Sequence, residues 1–226
     1  FHDMNKVYEI DPTIIPRTQH YLLSQVKSDG SFEPEGNLHT GGLERSRSSK
    51  MSSTAFVAWS LLHSGSKDLD KTMDFIKNNL ELKKEDSYVL ALSANVLALY
   101  DKTGGFTRAV LDELDERAIK EDKVMYWKTP EEYQNSRYRT AISGGTGDMK
   151  DLETTALAAI AYIHADFRPT AVNKILTHIV NQKDSFGNWG STFATILSLK
   201  ALIDSVAQTG EGTDADIRID VNDEEA

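Results

Sequence analysis

The residue whose type and position best suit chemistry is a histidine in a glycine-rich loop. His39 lies in the stretch GNLHTGG, residues 36–42, shortly before a segment that is apolar on almost every side. Imidazole is largely neutral and nucleophilic near pH 7, which suits nucleophilic catalysis. The alternative interpretation is an ordinary histidine of a surface loop.

Other reactive residue types are absent or have a simpler interpretation. The 226 residues contain no cysteine, which excludes disulfides, zinc–thiolate sites and cysteine nucleophiles within them. Glu153 has the chemistry of a catalytic acid, but its position favours a capping or buried hydrogen-bonding role. Three further histidines have unrelated spacings that favour packing or solvent exposure over metal binding: His63, His164 and His178. The run GGTG at residues 144–147 lacks the preceding strand and following Lys-Ser/Thr of a phosphate loop, and we interpret it as a flexible loop.

Composition narrows the class of protein. Apolar residues make up 39% and charged residues 27% of the chain, and the net charge is -10, which argues against nucleic-acid binding. No apolar run approaches the ~18 residues that span a bilayer. The chain opens on Phe1-His2-Asp3 without an initiator methionine, which suggests a fragment of a longer protein.

Two kinds of helical segment alternate along the chain. Four segments are apolar nearly all round and are expected to be buried on every side: Ser53 to Leu62, Tyr88 to Leu99, Thr154 to Ile163 and Thr192 to Ile203. Four others carry one apolar stripe, as in Leu69, Met73, Ile76 and Leu80. The buried segments recur at a rough period of 34 to 37 residues, which is typical of stacked helical hairpins.

The pattern predicts an all-α fold, an α/α toroid over residues 1–212, with buried helices inside and amphipathic helices outside. Four hairpins are visible where closed toroids commonly need about six, so we expect N-terminal helices to be missing. Their absence should expose apolar flanks near Ile14 to Leu23 and Phe56 to Leu62. Residues 213–226 form a tail in which Ile217 to Val221 alternates like a strand, with its partner expected in a flanking β-domain of the parent.

Two turns share a motif of glutamine, glycine and an aromatic residue. They read QVKSDGSF (Gln25 to Phe32) and QKDSFGNW (Gln182 to Trp189). We expect the glutamine to bind free amides of the next helix and the aromatic ring to wedge between hairpins. Trp59, Trp127 and Trp189 are accordingly predicted to be core or wedge residues. The motif resembles the QW-type turns of α/α toroids.

Longer strings resemble one family in particular. DLETTALAAIAYI (Asp151 to Ile163) and the stretch from Gln182 to Ile203 resemble the closing hairpins of alpha-2-macroglobulin/complement-type thioester-containing domains. QVKSDGSF, SSTAFVAWSLL and DSYVLALSANVLALY match further blocks in the same order. The resemblance covers about Ile14 to Asp204 and favours a bacterial or archaeal type.

The resemblance implies covalent chemistry carried by the parent protein. In this family, Cys and Gln of a GCGEQ-like motif form an internal thioester, and neither residue of that motif lies in this chain. The resemblance gives His39 the role of a catalytic acyl-accepting histidine, although only Thr40 separates it from the glycine pair, where the family usually has several residues. It implies a secreted, periplasmic or cell-surface protease trap or tagging protein rather than an enzyme. Its partners would be target proteases or surface hydroxyl and amine nucleophiles, and macroglobulin-type domains of the same parent, with no cofactor.

Two alternatives remain at this stage. An α/α-toroid enzyme acting on isoprenoid or glycan substrates would need a deep central cavity lined with acidic or aromatic side chains. A thioester-less binding module would need no reactive group at all. A Cys-Gly-Glu-Gln-like string upstream in the parent would favour the first interpretation over both.

Overall fold

The structure, a computed structural model, describes residues 1–33, 47–131 and 141–209, together with the strand residues 220–221 and 224–225. Within these ranges a 3-10 helix at Met4–Lys6 precedes eight α-helices. The helices are α1 (Ile14–Ser24), α2 (Arg47–His63), α3 (Asp70–Asn79), α4 (Ser87–Tyr100), α5 (Gly105–Glu116), α6 (Asp148–His164), α7 (Pro169–Asn181) and α8 (Thr192–Thr209). Two short strands, β1 (Ile119–Lys120) and β2 (Met125–Tyr126), pair antiparallel between α5 and α6.

The helices form an inner and an outer layer, as the alternation of apolar patterns predicts. Inner helix α4 is buried at every residue from Tyr88 to Ala98, and α6 is buried almost as completely. Outer helices α3 and α7 bury one stripe each, represented by Met73 and Ile175. Helix α2 packs on α4, α4 on α6, and α6 on α8. The predicted all-α architecture of stacked hairpins is confirmed.

The four inner helices run in the same direction, because residues at matching depths meet. Near the start of α4 and α6, Lys150 contacts Asp86, and farther along Asn95 Nδ2 donates to the carbonyl of Leu157 at 2.8 Å. Helices α2 and α8 meet through Phe56 and Phe193, with ring centroids 6.0 Å apart, and farther along both helices Lys200 Nζ lies 3.3 Å from His63 Nε2, so they run in the same direction too. All four helices therefore begin at one end of the layer, which we call the N-terminal end of the inner layer.

Three inner helices are joined to the preceding turn by the same hydrogen bond. In each case the backbone amide of an aromatic residue donates to a threonine hydroxyl oxygen on the inner helix. The pairs are Phe32 with Thr54 (2.9 Å), Trp127 with Thr155 (3.2 Å) and Trp189 with Thr195 (3.1 Å). The hairpin repeat of the sequence is thus accompanied by a repeated hydrogen bond between a turn and an inner helix.

The tryptophans also connect these turns to the outer layer. Trp127 Nε1 donates to the carbonyl of Leu114 in α5 at 2.8 Å, and Trp189 Nε1 donates to that of Ile179 in α7 at 2.6 Å. Both rings are buried, and so is Trp59. The wedge role predicted for the aromatic residues is confirmed. A glutamine role is not seen at the first turn, where the Gln25 amide donates to Ser24 Oγ instead.

The exposed apolar surface lies elsewhere than expected. On α2, Trp59 and Leu61 are buried and Phe56 is half-buried, and the Phe56 ring contacts Phe193 of α8. On α1, Tyr21 is exposed, but its neighbours Leu22 and Leu23 are half-buried. An exposed apolar stripe runs along α8, where Ile196 is 55%, Leu199 45%, Ile203 65% and Val206 63% exposed. The prediction of an exposed apolar flank was therefore wrong for Phe56 to Leu62 on α2.

The tail is described only in part. Asp220–Val221 pairs antiparallel with Glu224–Glu225, so part of the predicted strand forms a local hairpin. Pairing of residues 217–221 with a flanking β-domain stays a prediction, because residues 210–219 lie outside those described. None of the described helices combines the length and apolar character needed to cross a membrane.

Candidate functional site

Polar side chains gather at the N-terminal end of the inner layer, where apolar packing would be expected. They are Asp86 and Tyr88 at the start of α4, Lys150 and Glu153 at the start of α6, and Ser143 in the turn before α6. We call these five residues the polar cluster. Tyr88, Lys150 and Glu153 are almost fully buried. Buried ionisable groups are costly unless they are paired, so each one's contacts indicate what it can do.

Glu153 is the group in the cluster best suited to proton transfer. Its Oε1 accepts a hydrogen bond from Ser143 Oγ at 2.7 Å, while Oε2 has no hydrogen-bond partner among the residues that the structure describes. Burial raises the pKa of Glu153 to about 7, and the Ser143 hydrogen bond and the charge of Lys150 offset only part of that effect. Near neutral pH this carboxyl is therefore close to half protonated.

Lys150 is held by a buried ion pair across two inner helices. Its Nζ lies 2.7 Å from Asp86 Oδ2, with only 2% and 9% of the two side chains exposed. Asp86 Oδ1 also caps α4 by accepting from the amide of Val89 at 2.9 Å. The pair therefore fixes the start of α4 against the start of α6.

Tyr88 connects the cluster to the turn before α6. Its hydroxyl oxygen accepts from the amide of Ile142 at 3.1 Å, and its ring lies 5.7 Å from Lys150 Nζ. Burial holds the pKa of Tyr88 well above its ordinary value, so the hydroxyl stays neutral. It acts as a hydrogen-bond partner rather than as a charge.

A cavity of about 430 Å³ borders the cluster on the side of α8. Its polar lining includes Ser143, Glu153 and Ser191, and its apolar lining includes Met149, Phe193 and Ile196. The cavity lies at the starts of both α6 and α8. A small polar group that entered it would meet the Glu153 side of the cluster.

The opposite end of the inner layer carries a chain of charges. His63 Nε2 at the end of α2 lies 2.9 Å from Asp3 Oδ1, and Lys200 of α8 lies 3.5 Å from Asp3 Oδ2. Lys200 is also 3.5 Å from Asp204, which lies 3.2 Å from His164 at the end of α6. Burial lowers the pKa of His63 more than its contact with Asp3 raises it. These contacts join the N-terminal segment to three inner helices.

One group of potential metal ligands occurs among the described residues. Ligand atoms of His2, Asp3 and His63 lie within 4.8 Å of one another. The Lys200 ammonium lies 3.3 Å from His63 Nε2, so a positive charge already stands beside these atoms. The geometry is that of an ion-pair network.

The residues singled out in the sequence have different outcomes. His39 falls within residues 34–46, outside those described, so its proposed role stays a prediction. His178 stacks on Tyr126 with centroids 4.3 Å apart, and His63 and His164 take part in the charge chain, in keeping with packing roles. Glu153 is a buried hydrogen-bonded residue, as expected.

Sequence reasoning missed four members of the cluster, namely Asp86, Tyr88, Ser143 and Lys150. A signal was present for Lys150: it lies three residues before Glu153 and therefore on the same helical face. Its pairing with Asp86 joins residues 64 positions apart, which no local pattern contains.

Comparison with known proteins assigns the family. Residues 1–204 match the model of the A-macroglobulin TED domain. The match covers most of the chain and agrees with the helical hairpin fold, so this chain belongs to the A-macroglobulin TED domain family.

A curated relative supports the same assignment. Ovostatin of Gallus gallus is 25% identical over 212 residues, which cover 89% of this chain. The matched region is 14% of the length of ovostatin, so the chain spans about one seventh of this relative.

Proposed function

We propose that this chain is the helical domain of a macroglobulin-like protein that couples covalently to target nucleophiles through an internal thioester. The observation that carries the proposal is the family match over residues 1–204. Because the 226 residues contain no cysteine, the thioester sulfur has to come from the parent chain outside them. The parent would act as a single-turnover trap for proteases or a tag for surfaces, outside the cytoplasm.

The chemistry is acyl transfer from sulfur to a nucleophile on the target. A hydroxyl or amine attacks the thioester carbonyl carbon, the carbon–sulfur bond breaks, and the thiolate takes up the proton that the nucleophile loses. A thiolate leaves far more readily than an amide nitrogen, so the thioester is the reactive electrophile. In this proposal His39 accepts the acyl group first and passes it to hydroxyl acceptors, and the released thiolate serves as the base.

The test is performed on the full-length parent protein. Incubation with methylamine should add one methylamine to the intact mass and release one free thiol, measured by mass spectrometry and a thiol-reactive dye. A folded sample incubated without methylamine serves as the control for spontaneous changes in mass and thiol content. A folded parent that neither incorporates methylamine nor releases a thiol would contradict the proposal and leave a thioester-less binding module.

A further inference from the structure

The turn before α6, residues 141–147, rests on two inner-helix side chains. Ser143 Oγ donates to Glu153 Oε1 at 2.7 Å, and the amide of Ile142 donates to the Tyr88 hydroxyl oxygen at 3.1 Å. The turn also closes on itself, since the Ala141 amide donates to the Gly145 carbonyl at 2.9 Å. Its position over the start of α6 therefore depends on the carboxyl of Glu153.

Glycine permits the close approach of this turn to the carboxyl. A Cβ at Gly145 would lie 3.1 Å from Glu153 Oε1 and 3.2 Å from Ser143 Oγ, tighter than ordinary contacts. The Gly145 amide instead donates to Ser143 Oγ at 3.0 Å. The turn thus lies directly over Glu153, whose side chain is fully buried.

The Glu153 carboxyl has too few hydrogen-bond partners among the described residues to stabilise a negative charge. Glu153 is fully buried, and no described residue hydrogen-bonds to its Oε2. A buried carboxylate normally needs several donors or a paired cation. A protonated carboxyl needs fewer such partners, so the closed turn favours the neutral form of Glu153.

The charged groups around Glu153 do not remove the preference of the closed turn for a neutral carboxyl. On α6 itself, the positive charge of Lys150 favours ionisation, but Lys150 is paired with Asp86 of the α4 cap. From α4, Tyr88 contributes a neutral hydroxyl. The adjoining cavity is also lined by Ser191, just before α8, and by Thr192, Phe193 and Ile196 of α8, none of which titrates in this range.

We propose that Glu153 makes residues 141–147 a pH-sensitive cover over the N-terminal end of the inner layer. With the carboxyl protonated, the turn stays closed on Glu153. Ionisation favours an open state in which water reaches the carboxylate and the adjoining cavity of about 430 Å³ opens further to solvent. This inference does not depend on the thioester.

The direction of the pH dependence follows from the shifted pKa. Burial raises the pKa of Glu153 from 4.5 to about 7 in the closed state, while an open, solvated carboxyl returns towards 4.5. The closed state is therefore most stable below pH 4.5, loses stability up to pH 7 and changes little above that. Between about pH 5 and pH 8, the open population should rise by roughly 70-fold.

The experiment follows the titration and the turn together in the 226-residue chain. NMR of the Glu153 side-chain carboxyl carbon should show a midpoint near 7, and the amides of Ile142 and Gly145 should shift with the same midpoint. Hydrogen exchange of these amides, corrected for intrinsic rates, should accelerate with pH in the wild type. In Glu153→Gln that dependence should disappear, whereas Glu131→Gln, at an exposed carboxyl, should retain it.

Two results would overturn the proposal. One is a Glu153 midpoint at the ordinary value of 4.5, and the other is an unchanged pH dependence of exchange in Glu153→Gln. If Glu153→Gln fails to fold by circular dichroism, Ser143→Ala provides the second variant. It removes the donor to Oε1, so the Glu153 midpoint should move to higher pH, and an unmoved midpoint would count equally against the proposal.

Discussion

At the scale of single residues, His39 offers a test that separates two kinds of acceptor. In the full-length parent, His39→Ala should lower transfer to glycerol by roughly 100-fold and leave methylamine incorporation nearly unchanged. The asymmetry follows from the proposed mechanism, because amines attack a thioester directly whereas hydroxyls need the imidazole and the thiolate. Mass spectrometry of the acylated products measures both reactions.

The matched control for this variant is His20→Ala, since His20 is an exposed histidine of α1. It should alter neither reaction. Equal glycerol labelling by wild type and His39→Ala would show that His39 is an ordinary loop histidine with no role in acyl transfer.

Lys150 makes a second prediction at the residue scale. Lys150→Met keeps most of the side-chain volume but leaves Asp86 buried without its cation. We expect a loss of about 3 kcal/mol in the free energy of unfolding, measured by urea denaturation of the 226-residue chain. Lys123→Met, at an exposed lysine, should cost little.

A double variant distinguishes two effects of Lys150→Met, the loss of the lysine side chain and the loss of the charge partner of Asp86. Adding Asp86→Asn to Lys150→Met removes the unpaired charge and keeps an N-capping side chain, so part of the stability should return. If the double variant is as unstable as the sum of the two single variants, the buried ion pair is not the cause.

At the scale of elements, two turns with the same backbone conformation differ in their surroundings. Gly30 and Gly187 have φ values of +86° and +85° in the turns that precede α2 and α8. A Cβ at Gly30 would overlap the carbonyl of Lys71 in α3, whereas a Cβ at Gly187 would meet nothing within 4 Å. Alanine substitutions at the two glycines can therefore distinguish the cost of the left-handed backbone from the cost of a close contact with a neighbouring helix.

We expect Gly187→Ala to cost ~1 kcal/mol, because only the left-handed backbone is penalised. Gly30→Ala should cost ~3 kcal/mol, since α3 has to move as well. Thermal or urea unfolding of both variants measures the difference. Equal losses would show that the contact between the Gly30 turn and α3 contributes little to stability.

At the scale of the whole molecule, the apolar stripe on α8 predicts association of the isolated 226-residue chain. Four large apolar side chains are exposed along one face, and contiguous surfaces of this kind promote contact between molecules. Sedimentation velocity should detect dimers or larger species at micromolar concentration. A monodisperse monomer would contradict the prediction.

Substitutions locate the surface responsible. Ile203→Lys combined with Val206→Lys should shift the chain towards monomer, because both side chains are more than half exposed. Val180→Lys, at an exposed apolar residue of α7, provides the control and should leave the association unchanged.

The sequence by itself determined the helices and their two layers. A segment such as Tyr88–Ala98, apolar on every side, can only be stable when it is surrounded, and Met73 and Ile76 mark the single stripe of an outer helix. These are local patterns, so they can be read without knowing which helices meet. Boundaries were less well determined: α2 begins at Arg47 rather than Ser53, because its polar first turns add nothing to the apolar pattern.

The tertiary structure alone decided which polar groups come together. The pairing of Asp86 with Lys150 and the contact of Phe56 with Phe193 join different hairpins, and the burial of Glu153 depends on how residues 141–147 fold back over α6. The energies of such contacts depend on desolvation and on distances between side chains, and neither is encoded in the spacing of residues along one helix. The same sequence features that fix the helices therefore leave open the chemistry at their ends, which arises only when the hairpins pack.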